Sequence, residues 1–262
     1  MSHLTLSRRA ALVGAGLIAA PRLTLAQSTG PAWFDAWEGV LRRHVDTQGR
    51  VNFAAIAAEP APLAAIVAEI GNVGPDNQPG LFPGREQVLA WRINAYNALA
   101  MFGIVQRGIP ASLNLIGRFA FFVNTTIRVA GRNTSLKSFE DDVIRPMGEE
   151  RIHFALNCMV RGCPRLPQEA FRPQRLEAQL SAAAREFCES GYHVRPDPQR
   201  QAVFLSQIFD FFTVDFVPAK APSLLVYANR WRRQRLEETW TVRFFDYDWT
   251  INSQPGGGRA AG

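Results

Sequence analysis

The chain has 262 residues, of which 47% are hydrophobic, enough for one large domain with a substantial core or at most two small ones. Its formal charge of +6 is not a nucleic-acid footprint: Arg8, Arg9 and Arg22 lie in the first 26 residues, and without them the remaining 236 residues carry +3. Three cysteines allow one pair and a leftover.

At the N-terminus, Ser7-Arg8-Arg9 precedes the apolar run from Ala10 to Ala20, and Thr24-Leu25-Ala26 offers small residues at a cleavage point. Residues 1–26 therefore read as an export signal of the twin-arginine type, whose substrates cross the membrane folded. The run is short of the ~20 apolar residues that span a bilayer, so a periplasmic or secreted protein without stable membrane insertion after cleavage is expected.

Along the rest of the chain, Trp33 to Leu41 repeats large apolar residues at helical spacing and stops before the turn Asp46–Gly49. A second helical region runs from Phe53 to Ile70, interrupted by Pro60 and Pro62, and residues 71–84 form a Gly/Pro/Asn-rich loop. Arg85 to Gln106 is apolar around nearly its whole circumference, which makes it a buried central helix. At about 100° per residue, Asn94, Asn97 and Met101 share one narrow stripe of it. Buried amides cost about 1–3 kcal/mol each when unpaired, so they either bond neighbouring main chain or line a site.

Phe119 to Ala130 is aromatic and β-branched and reads as a strand or hairpin closing on Gly131–Asn133. Thr134 or Ser135 then caps a helix through Ile144, with Glu140, Asp141 and Asp142 as solvated charges in its early part. Ile152 to Leu156 reads as a strand with His153, Ala155 and Asn157 on one face. A helix from Gln168 to Glu189 follows, with Cys188 as a small buried apolar residue. Next come a turn around Arg195–Pro198, the strand Ala202–Leu205, and a run from Ser206, an N-cap, to Phe216. Asp210 and Asp215 lie about 140° apart on regular helix, which assigns them solvated or capping roles. The last helix spans Ser223–Glu238, where Arg230 to Arg235 form a solvated end. A terminal strand, Thr241–Trp249, precedes a Gly-rich tail at 253–262. Long helices first and scattered strands later give an α+β fold in a single domain, residues 27–252, with a mainly antiparallel sheet packed on the buried central helix and further helices around it.

Chemistry concentrates between Arg151 and Leu166, where His153, Cys158 and Cys163 fall within sixteen residues. Three readings share these side chains. In one, Cys158 or Cys163 is a nucleophile with His153 as base, oriented by Asn157 or an amide of the central helix. In the second, Cys158 and Cys163 form a structural disulfide, as the spacing and an oxidising compartment allow. In the third, the three residues bind a metal with His44 or His193 as a fourth ligand, although the spacing is not a standard zinc pattern.

Several segments also resemble, in order, the family known as domain of unknown function 547. They are Trp91 to Ala98, Gly131 to Leu136, Arg151 to Cys158 with Cys163-Pro164, Leu205 to Phe209, and Tyr247-Asp248-Trp249. The resemblance covers roughly residues 85–252 and implies an exported bacterial protein, without naming an activity. In that family a small residue, often Ser, precedes the second cysteine, whereas Arg161-Gly162 stands here. The expectation carried forward is a thiol- and histidine-dependent hydrolase or acyl transferase. His153, Cys158, Cys163 and Asn157 are its catalytic group, and Asn94, Tyr96 and Asn97 meet a small-molecule or peptide ligand. Neither metal nor cofactor is expected, and no nucleic acid. The competing class is a non-catalytic binding or scaffold module of the cell envelope with a Cys158–Cys163 disulfide.

Overall fold

Helix α1 (Trp33–His44) buries Trp33, Phe34, Trp37, Val40 and Leu41 on one side, as their spacing requires. The region expected as one interrupted helix divides at its prolines into α2 (Phe53–Ala58), capped by the Asn52 side chain, and α3 (Ala61–Asn72), which has Pro62 in its first turn. The computed structural model of the protein describes residues 31–257, so the expected export signal lies outside the described residues.

The expected central rod is α4 (Arg85–Gln106), which ends where Gly108 takes a left-handed φ of 69°. Trp91, fully buried at its middle, is met edge-on by Trp33, Phe82 and Phe139 at 6.3, 6.1 and 6.5 Å. By length and composition alone this helix would cross a membrane, but it is mostly buried in protein.

The strand expected from Phe119 is replaced by α5 (Leu115–Phe119) running on into a π-helical turn, Ala120–Asn124. The Asn114 side chain caps this helix, and Arg107 at the end of α4 bonds the Ala120 carbonyl and the Thr125 hydroxyl, which holds the aromatic run helical. Only its end forms the hairpin, β1 (Ile127–Val129) against β2 (Arg132–Thr134), turned by Ala130 and Gly131 at positive φ. Ser135 caps α6 (Leu136–Ser138), which widens into π-type turns at Phe139–Ile144 and closes in a 3₁₀ turn, Arg145–Met147.

Ile152–Leu156 is not a strand. A 3₁₀ turn, Glu150–Phe154, stands there, with the Glu149 side chain accepting from the Arg151 N–H. The expected alternation fails because both sides are covered: Ile152 joins the core around α4, and Phe154 joins a second core. Helix α7 (Leu176–Glu189) starts later than expected, after a 3₁₀ turn at Pro173–Arg175.

Strands β3 (Val194–Asp197) and β4 (Ala202–Ser206) pair antiparallel. Ser206 then caps α8 (Gln207–Phe211) as expected, followed by α9 (Thr213–Phe216) and α10 (Leu224–Asn229). The helix expected to reach Glu238 stops at Asn229, whose side-chain amide bonds both the N–H and the C=O of Leu236 and turns the Arg-rich segment back. Strand β5 (Thr241–Phe245) pairs parallel to β4.

The fold is α+β. Its three-stranded sheet has one antiparallel and one parallel pairing and lies against α7 and α8, where Val194, Val203 and Leu205 share the second core with Phe187 and Phe209. The chain then returns across the molecule: residues 248–254 bridge Ser112, Val160 and Val51 in turn. Residues 253–257, expected to begin a coreless tail, belong to this clasp, since Gln254 N–H bonds the Val51 carbonyl at 2.9 Å and Gly257 C=O accepts from Ala54.

Both buried amides of α4 bond main chain. Asn94 donates to the Phe171 carbonyl at 2.8 Å and accepts from the Phe171 N–H at 3.0 Å. Asn97 donates to the Ala155 carbonyl at 3.0 Å and accepts from the Asn157 N–H at 2.8 Å. Replacing Asn97→Ala strands a buried donor and a buried acceptor, so urea unfolding is expected to report a loss of about 2–4 kcal/mol. A loss below about 1 kcal/mol would mean that the 155–157 segment does not depend on this amide.

Candidate active site

Residues 157–164 form a tight loop because Asn157 staples it from inside. Its amide donates to the Pro164 carbonyl at 2.7 Å, and its carbonyl accepts from the Met159 N–H at 2.8 Å. Met159, fully buried, is bent to a left-handed φ of 69°, a conformation that a side-chain-bearing residue holds only where its surroundings impose it. The bend folds the loop so that the Cys158 N–H points at Cys163 Sγ, 3.2 Å away. The two sulfurs lie 2.9 Å apart as free thiols, so the expected disulfide is not formed.

A third donor reaches the same sulfur from the far end of the chain: the Tyr247 hydroxyl lies 3.3 Å from Cys163 Sγ. Gly162 makes this approach possible, because a Cβ there would come within 2.8 Å of the Tyr247 ring. Burial opposes ionisation of Cys163, yet the Cys158 thiol, the Tyr247 hydroxyl and the main-chain N–H groups of Val160 and Cys158 hold it below the ordinary thiol range. Cys158 moves the other way, pushed well up by its bond to Cys163, by burial and by the charges of Cys163 and Glu140. Of the two thiols, Cys163 is therefore the one that gives up its proton first.

These sulfurs lie on the wall of a cavity of about 480 Å³ between α4, α5, α6 and α8. Glu140 and Tyr96 line it as well, and the Tyr96 hydroxyl donates to the Glu140 carboxylate. Burial raises the Glu140 carboxyl to about 7, more than the Tyr96 bond and the nearby Arg145 and Lys137 lower it. Burial and Glu140 keep Tyr96 protonated, so it remains a donor.

His153 is on the same cavity wall, only 3% exposed, with its ring stacked on Phe212 at 3.9 Å. Its Nε2 lies 2.7 Å from Asp215 Oδ2, and Asp215 also accepts from Arg145 Nε at 2.8 Å and Nη2 at 3.0 Å. Burial lowers the pKa of His153 more than Asp215 raises it, because Arg145 already satisfies that carboxylate. The hydrogen bonds of His153 and Arg145 outweigh burial at Asp215 and hold its carboxyl well below the usual range. An ionised Asp215 accepts the Nε2–H of a neutral ring. Nδ1 is then an acceptor, and it has no partner among the described residues.

Of the residues singled out in the sequence, Tyr96, His153, Cys158 and Cys163 converge on one cavity. Asn94, Asn97 and Asn157 do not line it; they fix the main chain that carries the sulfurs. His153 makes no hydrogen bond to either sulfur. His193, considered as a metal ligand, stacks on Phe187 at 3.9 Å beside a different cavity, and among the described residues no group of three or more His, Cys, Asp or Glu is arranged to hold a metal ion. Sequence reasoning missed Glu140, Asp215, Arg145 and Tyr247. Glu140 sits on widened turns whose inward side regular-helix geometry does not give, and Asp215 follows a break between α8 and α9 that invalidates the 140° argument. The aromatic neighbours of Asp215 were the available signal.

No curated protein and no solved structure matches the chain. Residues 82–188, which hold α4, Glu140, His153 and both sulfurs, match the family model described as protein of unknown function, DUF547.

Proposed function

We propose that the protein is a thiol-dependent acyl-transfer enzyme, a hydrolase or acyl transferase, with Cys163 as its nucleophile. The observation that carries this reading is the set of donors on Cys163 Sγ: a buried sulfur served by a thiol, a phenol and main-chain N–H groups is prepared as a thiolate at the edge of a cavity. Cys163 Sγ attacks the acyl carbonyl carbon and forms a thioester. The bond to the leaving group breaks, and that group takes the proton of the Glu140 carboxyl. Water or an acceptor hydroxyl then attacks the thioester and gives its proton to the Glu140 carboxylate, while the carbon–sulfur bond breaks and returns the thiolate.

Glu140 suits both directions because it titrates near the operating pH. His153, with its Nε2–H committed to Asp215 and its ring stacked on Phe212, is a fixed part of the cavity wall. Ser7-Arg8-Arg9 and the apolar run after it support a periplasmic or secreted site of action.

Turnover, thiol labelling and pH dependence test this reading. With p-nitrophenyl butyrate as probe, Cys163→Ser is expected to lower kcat/KM at least about a hundredfold, and iodoacetamide at pH 7 to label Cys163 ahead of Cys158. Wild-type turnover in Cys163→Ser would end the proposal. If neither sulfur reacts until a reductant is added, the non-catalytic envelope module with a disulfide takes its place.

Tyr247→Phe removes one donor from the thiolate and is expected to move the pH midpoint of Cys163 alkylation up by about one unit. An unmoved midpoint would take Tyr247 out of the activation of the sulfur.

Glu140 holds its proton below about 7 and loses it above, so kcat/KM is expected to fall as pH rises through 7 and Glu140→Gln to flatten that limb. Stability has the same sign. A carboxyl raised on folding contributes below its unfolded value and loses that contribution as pH climbs through about 7, so Glu140→Gln should gain on wild type at pH 8 and match it at pH 4. An unchanged falling limb in this variant would remove Glu140 from proton transfer.

A further inference from the structure

The cavity sets a few polar groups among aromatic rings, and its exposed border is apolar. Leu115 and Phe119 of α5 are 73% and 58% exposed, and Phe211 of α8 is 47% exposed, yet all three line the cavity. Val123, 41% exposed on the π-helical turn that continues α5, lines it as well. Scattered apolar residues at a surface need no explanation, but four large ones on α5, its continuation and α8 that line one opening form a patch that water alone does not justify.

A cation is set among them. Arg118 lies between Leu115 and Phe119 and stacks its guanidinium on the Trp249 ring at 4.5 Å. Trp249 meets Tyr247 at 4.7 Å, and the Tyr247 hydroxyl bonds Cys163 Sγ. From the sulfur outward, the order is thus phenol, indole, guanidinium and apolar lip. The other cations at the cavity are matched by carboxylates: Lys137 by Asp141, and Arg145 by Asp141 and Asp215. Arg118 has no ion pair among the described residues, and its Nε is buried without a hydrogen-bond partner.

We propose that the cavity binds a long-chain acyl group, with the chain along the lips made by α5 and α8 and the carboxyl end held by Arg118 beside Cys163. This inference rests on the reading of Cys163 as an acyl-accepting nucleophile and names the substrate class of that site. A medium or long alkyl chain matches a cavity of this size walled by aromatic rings, and the carboxylate or the acyl carbonyl is the acceptor that a stacked, unpaired guanidinium lacks.

Binding is read separately from chemistry. Calorimetric titration of the full chain and of its Cys163→Ser variant with sodium hexanoate, octanoate and decanoate is expected to give a Kd that tightens up to about fourfold per added methylene, equally in both proteins. Arg118→Gln should weaken every alkanoate by about tenfold and leave the chain-length dependence intact. Phe119→Asp, at an exposed position that does not support the core, should flatten that dependence. A Kd indifferent to chain length, or unmoved by both variants, overturns the acyl proposal and leaves the thiol reading standing. Chain-length-dependent binding without any Cys163-dependent turnover of p-nitrophenyl butyrate has the opposite meaning: the ligand class holds and the nucleophile is lost.

Discussion

A polar group carried into a dry core has to be answered by another, and in this protein the two amides of α4 decide where the rest of the chain goes. Their partners are main-chain groups 58 to 77 residues away. Asn97 clamps the segment entering the cysteine loop, and Asn94 clamps the segment that follows it. Leaving either amide unmet would cost more than most single contacts contribute, so the loop is suspended between two fixed points instead of floating as surface loops do. Tyr96 projects from α4 between the two amides, on another face of the helix, and so becomes part of the cavity wall.

That rigidity matters electrostatically. Fixed donors answer an anion in a low-dielectric pocket far better than mobile ones, since they need no reorganisation when the charge forms. Two thiols and the Glu140 carboxyl line the cavity, Asp215 bonds the His153 of its wall, and their surroundings treat these groups differently. Asp215 has Arg145 against it and stays ionised, whereas Glu140 is desolvated with only a phenol to bond and keeps its proton to near neutrality. Between the sulfurs, Tyr247 reaches both, but the main-chain N–H groups serve Cys163, and the Cys158 thiol donates to it too. Groups of the same type pushed apart in this way are what separates a donor from an acceptor in acid–base chemistry.

The sequence made some of this legible and hid the rest for physical reasons. The 22-residue apolar rod of α4 was readable because a helix that is hydrophobic on every side has nowhere to go but the core, and the Ser206 cap because its signature is local. His153 and both cysteines, close together in the sequence, also lie on the wall of one cavity. The error at Ile152–Leu156 came from treating alternation as proof of a strand, when a short turn wedged between two cores buries consecutive residues. The 119–124 run was misread because aromatic side chains suit strands and π-type turns alike, and the deciding contacts come from Asn114 and Arg107 outside it. Tyr247 and Asp215 were invisible as site residues because their partners stand 84 and 62 positions away, a distance no window of sequence bridges.

The clasp of residues 248–254 sets an order in time. A ribosome delivers the cysteine loop long before it delivers Tyr247 and Trp249, so through that interval Cys163 lacks the phenol that bonds it and the indole packed on that phenol. The Arg161 and Gly162 amides are also still waiting for the carbonyls of Thr250 and Asp248. A growing chain thus carries Cys163 without these partners until residues 247–250 have followed it. Premature termination would therefore yield a molecule with every cysteine present and none of them primed.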